Sequence, residues 1–148
     1  LSTMLPMLLP VFWVGFTFGL LPTSALSKRF GDARSAALGC LIGALSLVAS
    51  SYATSIPMLA TAHALAGVGW ALTMANGIGL AAASGRAGAE GRYTSLFFCV
   101  LALGTLGRIA VSLSGVPQTL PDVVRWLPVL AWTGAALLLL QVARRRLS

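Results

Sequence analysis

The segment IPMLATAHALAGVGWALTMANGIGLAAA extends from Ile56 to Ala83 and contains no acidic residue, lysine or arginine. A helix that crosses a bilayer needs roughly 20 consecutive, mainly apolar residues, and this run exceeds that length. Its residues do not alternate between polar and apolar, as they would in a strand of a membrane barrel. We therefore predict a membrane-spanning helix, with Pro57 in its first turn.

Four similar apolar runs accompany this stretch, and the connections between them are short. Lipid offers no hydrogen-bond partner to the backbone, so apolar runs of this length form helices. We predict an all-α membrane protein in which residues 1–148 form one transmembrane helical domain of five spans, with neighbouring helices antiparallel. Together with 56–83, the predicted spans are 5–26, 35–52, 93–113 and 123–142.

The first run contains three prolines, Pro6, Pro10 and Pro22. Proline lacks a backbone N–H and kinks a helix, and in a membrane neighbouring groups satisfy the carbonyl that loses its donor. We therefore predict a single kinked span from 5 to 26.

The composition of the whole chain agrees with a lipid environment. Apolar residues make up 57% of it and charged residues only 9%, whereas a soluble domain carries about a quarter charged residues. The net charge of +7 comes from basic residues that lie between apolar runs and not on one face, so we expect no nucleic-acid partner.

No catalytic or metal-binding pattern is present in the sequence. Cys40 and Cys99 are isolated within apolar runs, which excludes a disulfide framework and a zinc site of ordinary spacing. The three acids, Asp32, Glu90 and Asp122, all lie in connections, and no phosphate-binding loop occurs. We therefore predict no enzyme activity, no cofactor and no metal.

Nearly all the basic residues lie in connections on one side of the predicted bundle. Connections rich in lysine and arginine stay in the cytoplasm. We therefore predict a multi-pass protein of the cell membrane, the inner membrane in a bacterium, with the amino end of this chain outside and the carboxyl end inside. Arg125 belongs to the outer side, and the predicted cytoplasmic residues are Lys28, Arg29, Arg34, Arg86, Arg92, Arg144, Arg145 and Arg146.

Glycines recur at helical spacing within the predicted spans. Small residues let membrane helices approach closely, so we predict that these glycines mark helix contacts in a packed bundle. They are Gly15 and Gly19, Gly39 and Gly43, then Gly67, Gly69, Gly77 and Gly79, and finally Gly104 and Gly107.

The connection after the first run reads ALSKRFGDAR, from Ala25 to Arg34. It resembles the loop signature of the major facilitator superfamily, which joins the second and third helices of each six-helix half. Lys28 stands where that signature has an aspartate, and we suggest that Asp32, four residues later, partly replaces this acid by pairing with Lys28. The residues that match the signature are Leu26, Ser27, Arg29, Phe30, Gly31 and Arg34.

A second loop, GRAGAEGRYT from Gly85 to Thr94, is similar to the cytoplasmic link between the fourth and fifth helices of such a half. The resemblance implies a partial six-helix bundle of the major-facilitator type, consisting of helices two to six. Because the chain ends in RRRLS, we favour the carboxyl-terminal half without its first helix. The amino-terminal half remains an alternative.

The resemblance implies a secondary active transporter of small solutes, in which two related halves rock about a central site. Its partners would be the lipid bilayer, the remaining helices of the full-length chain and a small-molecule substrate. Proton coupling is one option, but a uniporter or a proton site on the other half fits equally well, since no carboxylate lies within a span. The alternative is a scaffold or assembly factor of the same fold without transport activity, and a membrane enzyme is a weaker one.

Ionisable groups inside a membrane are costly and usually mark function. Arg108 and His63 lie within predicted spans at similar depth, and the resemblance places both helices along the central cavity. Arg108 would either hold an anionic group or extend its long side chain to the outer boundary of the membrane. His63 would act as a hydrogen-bond partner, carry a proton or only fill space between helices. Asn76 would contact the substrate or bond across helices. Trp70 would stack on a sugar or aromatic substrate, or pack, so an anionic or a sugar-like substrate is compatible with these residues.

Overall fold

The computed structural model describes residues 8–85, 88–114 and 116–145, without the side chains of residues 116 and 118. These ranges are helical almost throughout and contain no β-strand. In chain order the helices are α1 (Leu8–Leu20), α2 (Thr23–Phe30), α3 (Asp32–Ser51), α4 (Ile56–Ser84), α5 (Glu90–Leu113), α6 (Val116–Thr119) and α7 (Pro121–Arg145).

Four of these helices, α3, α4, α5 and α7, are long and apolar enough to cross a membrane. The bent pair of α1 and α2 makes a fifth if the two are counted as one span. The predicted all-helical class is therefore confirmed for the described ranges, and the helix lengths are compatible with a multi-pass membrane protein. The short helix α6 lies in what was predicted to be a connection.

The first predicted span is broken and not merely kinked. Helices α1 and α2 meet at Leu21 and Pro22 with a bend of 47°, and α2 continues to Phe30, beyond the predicted end of 5–26. Pro22 has no N–H to donate to the carbonyl of Phe18, which accepts instead from the Leu21 N–H at 3.3 Å. The start of this predicted span, 5–7, lies outside the described residues, as do Arg86 and Arg146.

The turn between α2 and α3 consists of Gly31 alone, at φ +81°. Because this positive φ interrupts the helix, Lys28 and Asp32 do not share the continuous turn that pairing at this spacing requires. The suggested ion pair is accordingly wrong: no such pair joins them in the described part of the chain. The Ser27 hydroxyl donates to the Asp32 carboxylate instead and closes the turn.

Helix α4 is the centre of the bundle, and α1 packs along it in parallel. A Cβ added to Gly19 would lie 2.8 Å from the Cα of Val68, and one added to Gly15 would overlap the backbone of Ala64. Real Cβ atoms do not approach backbone atoms this closely, so only glycine fits at these points. The predicted role of this glycine pair in helix contact is confirmed.

Helix α3 packs antiparallel on a second face of α4. A Cβ added to Gly39 would lie 2.6 Å from the Thr73 hydroxyl, and one added to Gly69 would lie 2.7 Å from the Gly43 nitrogen. The prediction fails for Gly104 and its neighbour at 107, where nothing lies within 4 Å of an added Cβ. Close packing therefore joins α1, α3 and α4 and does not include the second half of α5.

Helix α7 packs antiparallel on α3. The Trp132 ring covers Gly43, with its Cε3 atom 2.7 Å from where a glycine Cβ would be. At the other end, the Arg125 guanidinium donates to the Ser51 carbonyl at 2.8 Å and lies 5.1 Å from the centre of the Tyr52 ring. A cation at a helix C-terminus meets the negative end of the helix dipole, so this contact ties the two helix ends together.

These helix directions collect the basic side chains at one end of the bundle. Helices α3 and α5 begin there, and α4 and α7 finish there. Arg125 lies at the opposite end, so the predicted gathering of the other basic residues at one end of the bundle is confirmed within the described ranges. The basic end contains Lys28, Arg29, Arg34, Arg92, Arg144 and Arg145.

Candidate functional site

Helix α5 contacts α4 along only half of its length. Its half-buried residues are Thr94, Phe97 and Leu101, which follow one another on one face, and every residue from 102 to 114 is exposed. The Phe97 ring lies against Gly77, where an added Cβ would approach it to 2.9 Å. Beyond Leu101 the two helices therefore diverge.

Arg108 projects from the face of α5 that contacts α4 nearer the basic end. Eleven residues separate it from Phe97 and seven separate it from Leu101. At 3.6 residues per turn these spacings are close to three and two whole turns, so the three side chains lie along one line of the helix. The guanidinium therefore extends towards the space that opens between α5 and α4.

The opposite wall of this space is the outer half of α4. His63, Ala66 and Trp70 lie fourteen, eleven and seven residues before Gly77, which again places them close to one line of the helix. All three are half-buried. We call the space between this line and the line from Leu101 to Arg108 the α4–α5 cleft.

The surroundings of Arg108 are apolar apart from two hydroxyls. An open groove of about 370 Å³ adjoins it, and all the residues that line this groove belong to α5. The hydroxyls of Thr105 and Ser112 already donate to the carbonyls one turn earlier, at 3.0 and 2.9 Å, which leaves the guanidinium as the available donor. No carboxylate within the described ranges lies at ion-pair distance from Arg108. The groove is lined by Thr105, Arg108, Ile109, Ser112 and Leu113.

The imidazole of His63 is oriented by its own helix. Its Nδ1 lies 3.0 Å from the Leu59 carbonyl oxygen. A carbonyl can only accept a hydrogen bond, so Nδ1 must carry the proton and donate it. In the neutral ring Nε2 is then the acceptor, the atom at which a proton or a donor group of a solute would bind.

We expect the neutral His63 ring to be the Nδ1–H tautomer, because the Leu59 carbonyl stabilises only that form. His63 is the one histidine of residues 1–148, and in protein grown with ¹⁵N-histidine its pair of ring signals is the pair that a His63→Gln variant lacks. Their ¹⁵N chemical shifts should assign the proton to Nδ1 at a pH where the ring is neutral. A spectrum dominated by the Nε2–H tautomer would contradict the geometry at Leu59.

Trp70 has a packing partner on another helix. Its ring meets Trp132 of α7 edge to face, with the ring centres 5.8 Å apart. Such a pair stabilises the contact by about 0.5–1.5 kcal/mol beyond the area it buries. Trp70 therefore links the cleft wall to α7, and only the part of its ring that Trp132 does not cover could meet a solute.

Asn76 lies outside the cleft. It is buried between α3 and α4, with 2% of its surface exposed, and its Nδ2 donates to the Leu72 carbonyl at 2.7 Å. The structure thus places His63 and Trp70 on one line of α4, Arg108 on the line of α5 that contacts α4 nearer the basic end, and Asn76 in a helix interface. The residues of the loop signature, Lys28, Arg29, Gly31, Asp32 and Arg34, lie at the basic end, away from the cleft.

Two further polar residues had no signal in the sequence that would single them out. Arg125 is the C-terminal cap of α3, and Ser35 is a buried hydroxyl in the interface that contains Asn76. The neighbours that give each residue its surroundings, Ser51 for Arg125 and Asn76 for Ser35, are more than 40 positions away in the chain. These surroundings can therefore be seen only once the helices are packed together.

The resemblance to the major facilitator superfamily remains a prediction from the loop at 25–34. Neither the models of known families, nor the curated proteins, nor the solved structures match this chain.

Proposed function

We propose that this chain is part of a secondary active transporter, which moves small solutes across a membrane by alternating access. The observation that supports this most strongly is the position of Arg108. The residue lies within a long apolar helix, on the line of the α4-contacting face but beyond the point where the contact ends, and no described carboxylate pairs with it. A guanidinium inside hydrocarbon is costly unless it borders a water-filled cavity or meets an anion.

The α4–α5 cleft supplies the chemistry that a solute path needs. Arg108 offers a permanent positive charge, His63 offers an exchangeable proton, and Trp70 offers an aromatic surface. A small solute with an anionic group is the substrate that this set favours, because the guanidinium fork matches a carboxylate with two hydrogen bonds. A sugar-like solute would use Trp70 more than Arg108.

We place the protein in the cell membrane with five spans, counting α1 and α2 as one, and with its basic end in the cytoplasm. The loop resemblance supports a bundle of the major-facilitator type, in which further helices of the full-length chain would cover the exposed half of α5. A scaffold of the same fold would need an apolar interface at this face, and Arg108 opposes that alternative.

The test is uptake of radiolabelled mono- and dicarboxylates by proteoliposomes that contain the full-length protein. We expect Arg108→Gln to lower uptake at least tenfold, since a charge-assisted hydrogen bond contributes about 1.5–3 kcal/mol. Arg92→Gln is the matched control, because Arg92 is an exposed arginine at the other end of the same helix. The control variant should retain the wild-type rate.

Two outcomes would oppose the proposal. Equal uptake by wild type and the Arg108→Gln variant would remove this residue from the solute path. If wild-type liposomes accumulate neither carboxylates nor sugars, while the protein purifies in a stable complex with other membrane proteins, the scaffold function is the better one.

A further inference from the structure

Two buried polar atoms in the α3–α4 interface have no hydrogen-bond partner among the described residues, namely Ser35 Oγ and Asn76 Oδ1. Ser35 is 1% exposed and Asn76 is 2% exposed. Several helical hydroxyls of the described ranges donate to the carbonyl four residues earlier, whereas Ser35 makes no such bond. These hydroxyls include Thr17, Thr61, Thr73, Thr105, Ser112 and Thr133.

The two unpartnered atoms belong to the same level of the interface. On α3, Ser35 lies between Asp32 and Gly39, and on α4, Asn76 lies between Thr73 and Gly79. Gly39 is opposite Thr73, and the Asp32 carboxylate lies against Gly79, 3.1 Å from where a Cβ would be. With both ends of this short segment matched, Ser35 and Asn76 lie at the same level of the interface.

Leaving both atoms without partners is unfavourable. A buried polar group without a hydrogen bond costs about 1–3 kcal/mol, and lipid on the outside offers no relief. The Asn76 oxygen only accepts hydrogen bonds, whereas the Ser35 hydroxyl both donates and accepts. A small molecule that donates a hydrogen bond to Asn76 Oδ1 and forms a second one with Ser35 Oγ would satisfy both atoms.

A cleft of about 180 Å³ opens at the basic end of this interface, lined in part by Gly31, Asp32, Arg34 and Leu80. It begins one helical turn from Ser35 and offers a route for water. The close contact of Gly39 with Thr73 closes the interface on the other side.

We propose that one water molecule binds between Ser35 and Asn76, donating to Asn76 Oδ1 and sharing a second hydrogen bond with Ser35 Oγ. Buried waters of this kind satisfy polar groups that the fold leaves unpaired. This site is a hydrated point in an otherwise glycine-packed interface. It is independent of the transport proposal, because it needs only the contact of α3 with α4.

Asn76 is the one asparagine of residues 1–148. In protein labelled with ¹³Cγ,¹⁵Nδ2-asparagine in lipid bilayers, its side-chain amide signal in solid-state NMR and its isotope-shifted side-chain carbonyl band in the infrared are those that an Asn76→Ser variant lacks. We expect rapid transfer of water magnetisation to the amide signal and a carbonyl band at the low wavenumber of a hydrogen-bonded amide.

Ser35→Ala removes one partner of the water and should slow this transfer roughly threefold, the equivalent of one modest hydrogen bond. Ser46→Ala is the matched control, because Ser46 is equally buried on α3 but donates to the Gly43 carbonyl. It should leave the transfer unchanged.

Slow transfer in the wild type overturns the proposal. If the wild-type carbonyl band is nevertheless low and rises in Ser35→Ala, Ser35 donates directly to Asn76. A high wild-type band would mean that Oδ1 has no donor at all. These readouts of the wild-type protein decide the matter even if the variant does not fold.

Discussion

Replacing Gly67 by alanine is expected to separate α1 from α4 and to lower the free energy of unfolding by about 3 kcal/mol, the upper range for overpacking a close contact. The added Cβ would overlap the carbonyl oxygen of Phe12 and lie 2.6 Å from the nitrogen of Phe16. Both are backbone atoms of α1, so no side-chain rotation can make room. The whole helix would have to move.

Gly104→Ala is the control for this experiment, because nothing lies within 4 Å of a Cβ at that position. Both substitutions add one methyl group to a long apolar helix and remove one glycine. Thermal unfolding in detergent, followed by circular dichroism, should show a lower melting temperature for the Gly67 variant only. Equal melting temperatures would mean that α1 does not pack on α4 at Gly67.

The second large effect is expected at Trp132. Removing its ring with Trp132→Ala should lower the free energy of unfolding by about 3 kcal/mol, as large-to-small changes in packed cores do. The ring fills the space above Gly43, meets Trp70 edge to face, and packs on a buried cluster of α3 and α7. That cluster consists of Ala37, Cys40 and Ala136.

In lipid the loss arises from missing contacts and not from exposure to water, because lipid tails are as apolar as the core. Leu138→Ala is therefore the appropriate control: it also shortens a large apolar side chain of α7, at a position that is 64% exposed. Denaturant titration of both variants should show a shift for Trp132→Ala alone. A comparable shift for Leu138→Ala would indicate that α7 packs with a different face.

The proposed site and the stable part of the bundle occupy different places in the molecule. The glycine contacts of α1, α3 and α4 leave no room for side chains, whereas the second half of α5 is uncovered. Arg108 lies on the uncovered part, and His63 and Trp70 line the facing half of α4. A binding cleft at the edge of a close-packed unit is able to change width without disturbing the contacts that hold the unit together.

Local features of the chain were sufficient to predict the helices. The length of each apolar run determined where the spans from α3 to α7 would lie, and their ends differ by a few residues only. Pro22 also marked the correct place for a disturbance, since a missing N–H acts on the nearest turn. The sequence did not show that the first run would divide into α1 and α2. At this division the Leu21 N–H donates to the Phe18 carbonyl.

The glycine spacing likewise predicted contacts on three helices, but it could not separate glycines that meet a helix from those of α5 that meet nothing. Gly104 and Gly107 meet nothing because they lie beyond Leu101, where the contact of α5 with α4 ends. The spacing of glycines along α5 does not show where this contact ends.

Run length and charge placement act through neighbouring residues, so the amino-acid sequence is enough to predict the helical class, the approximate spans and the gathering of basic residues at one end. The contact of Arg125 with the end of α3 and the burial of Ser35 and Asn76 at one level of an interface emerge only once the helices are packed. Each of these pairings depends on the register and rotation of one helix against another. Register is set by the sum of many close contacts over whole helix faces, and no single residue type encodes it.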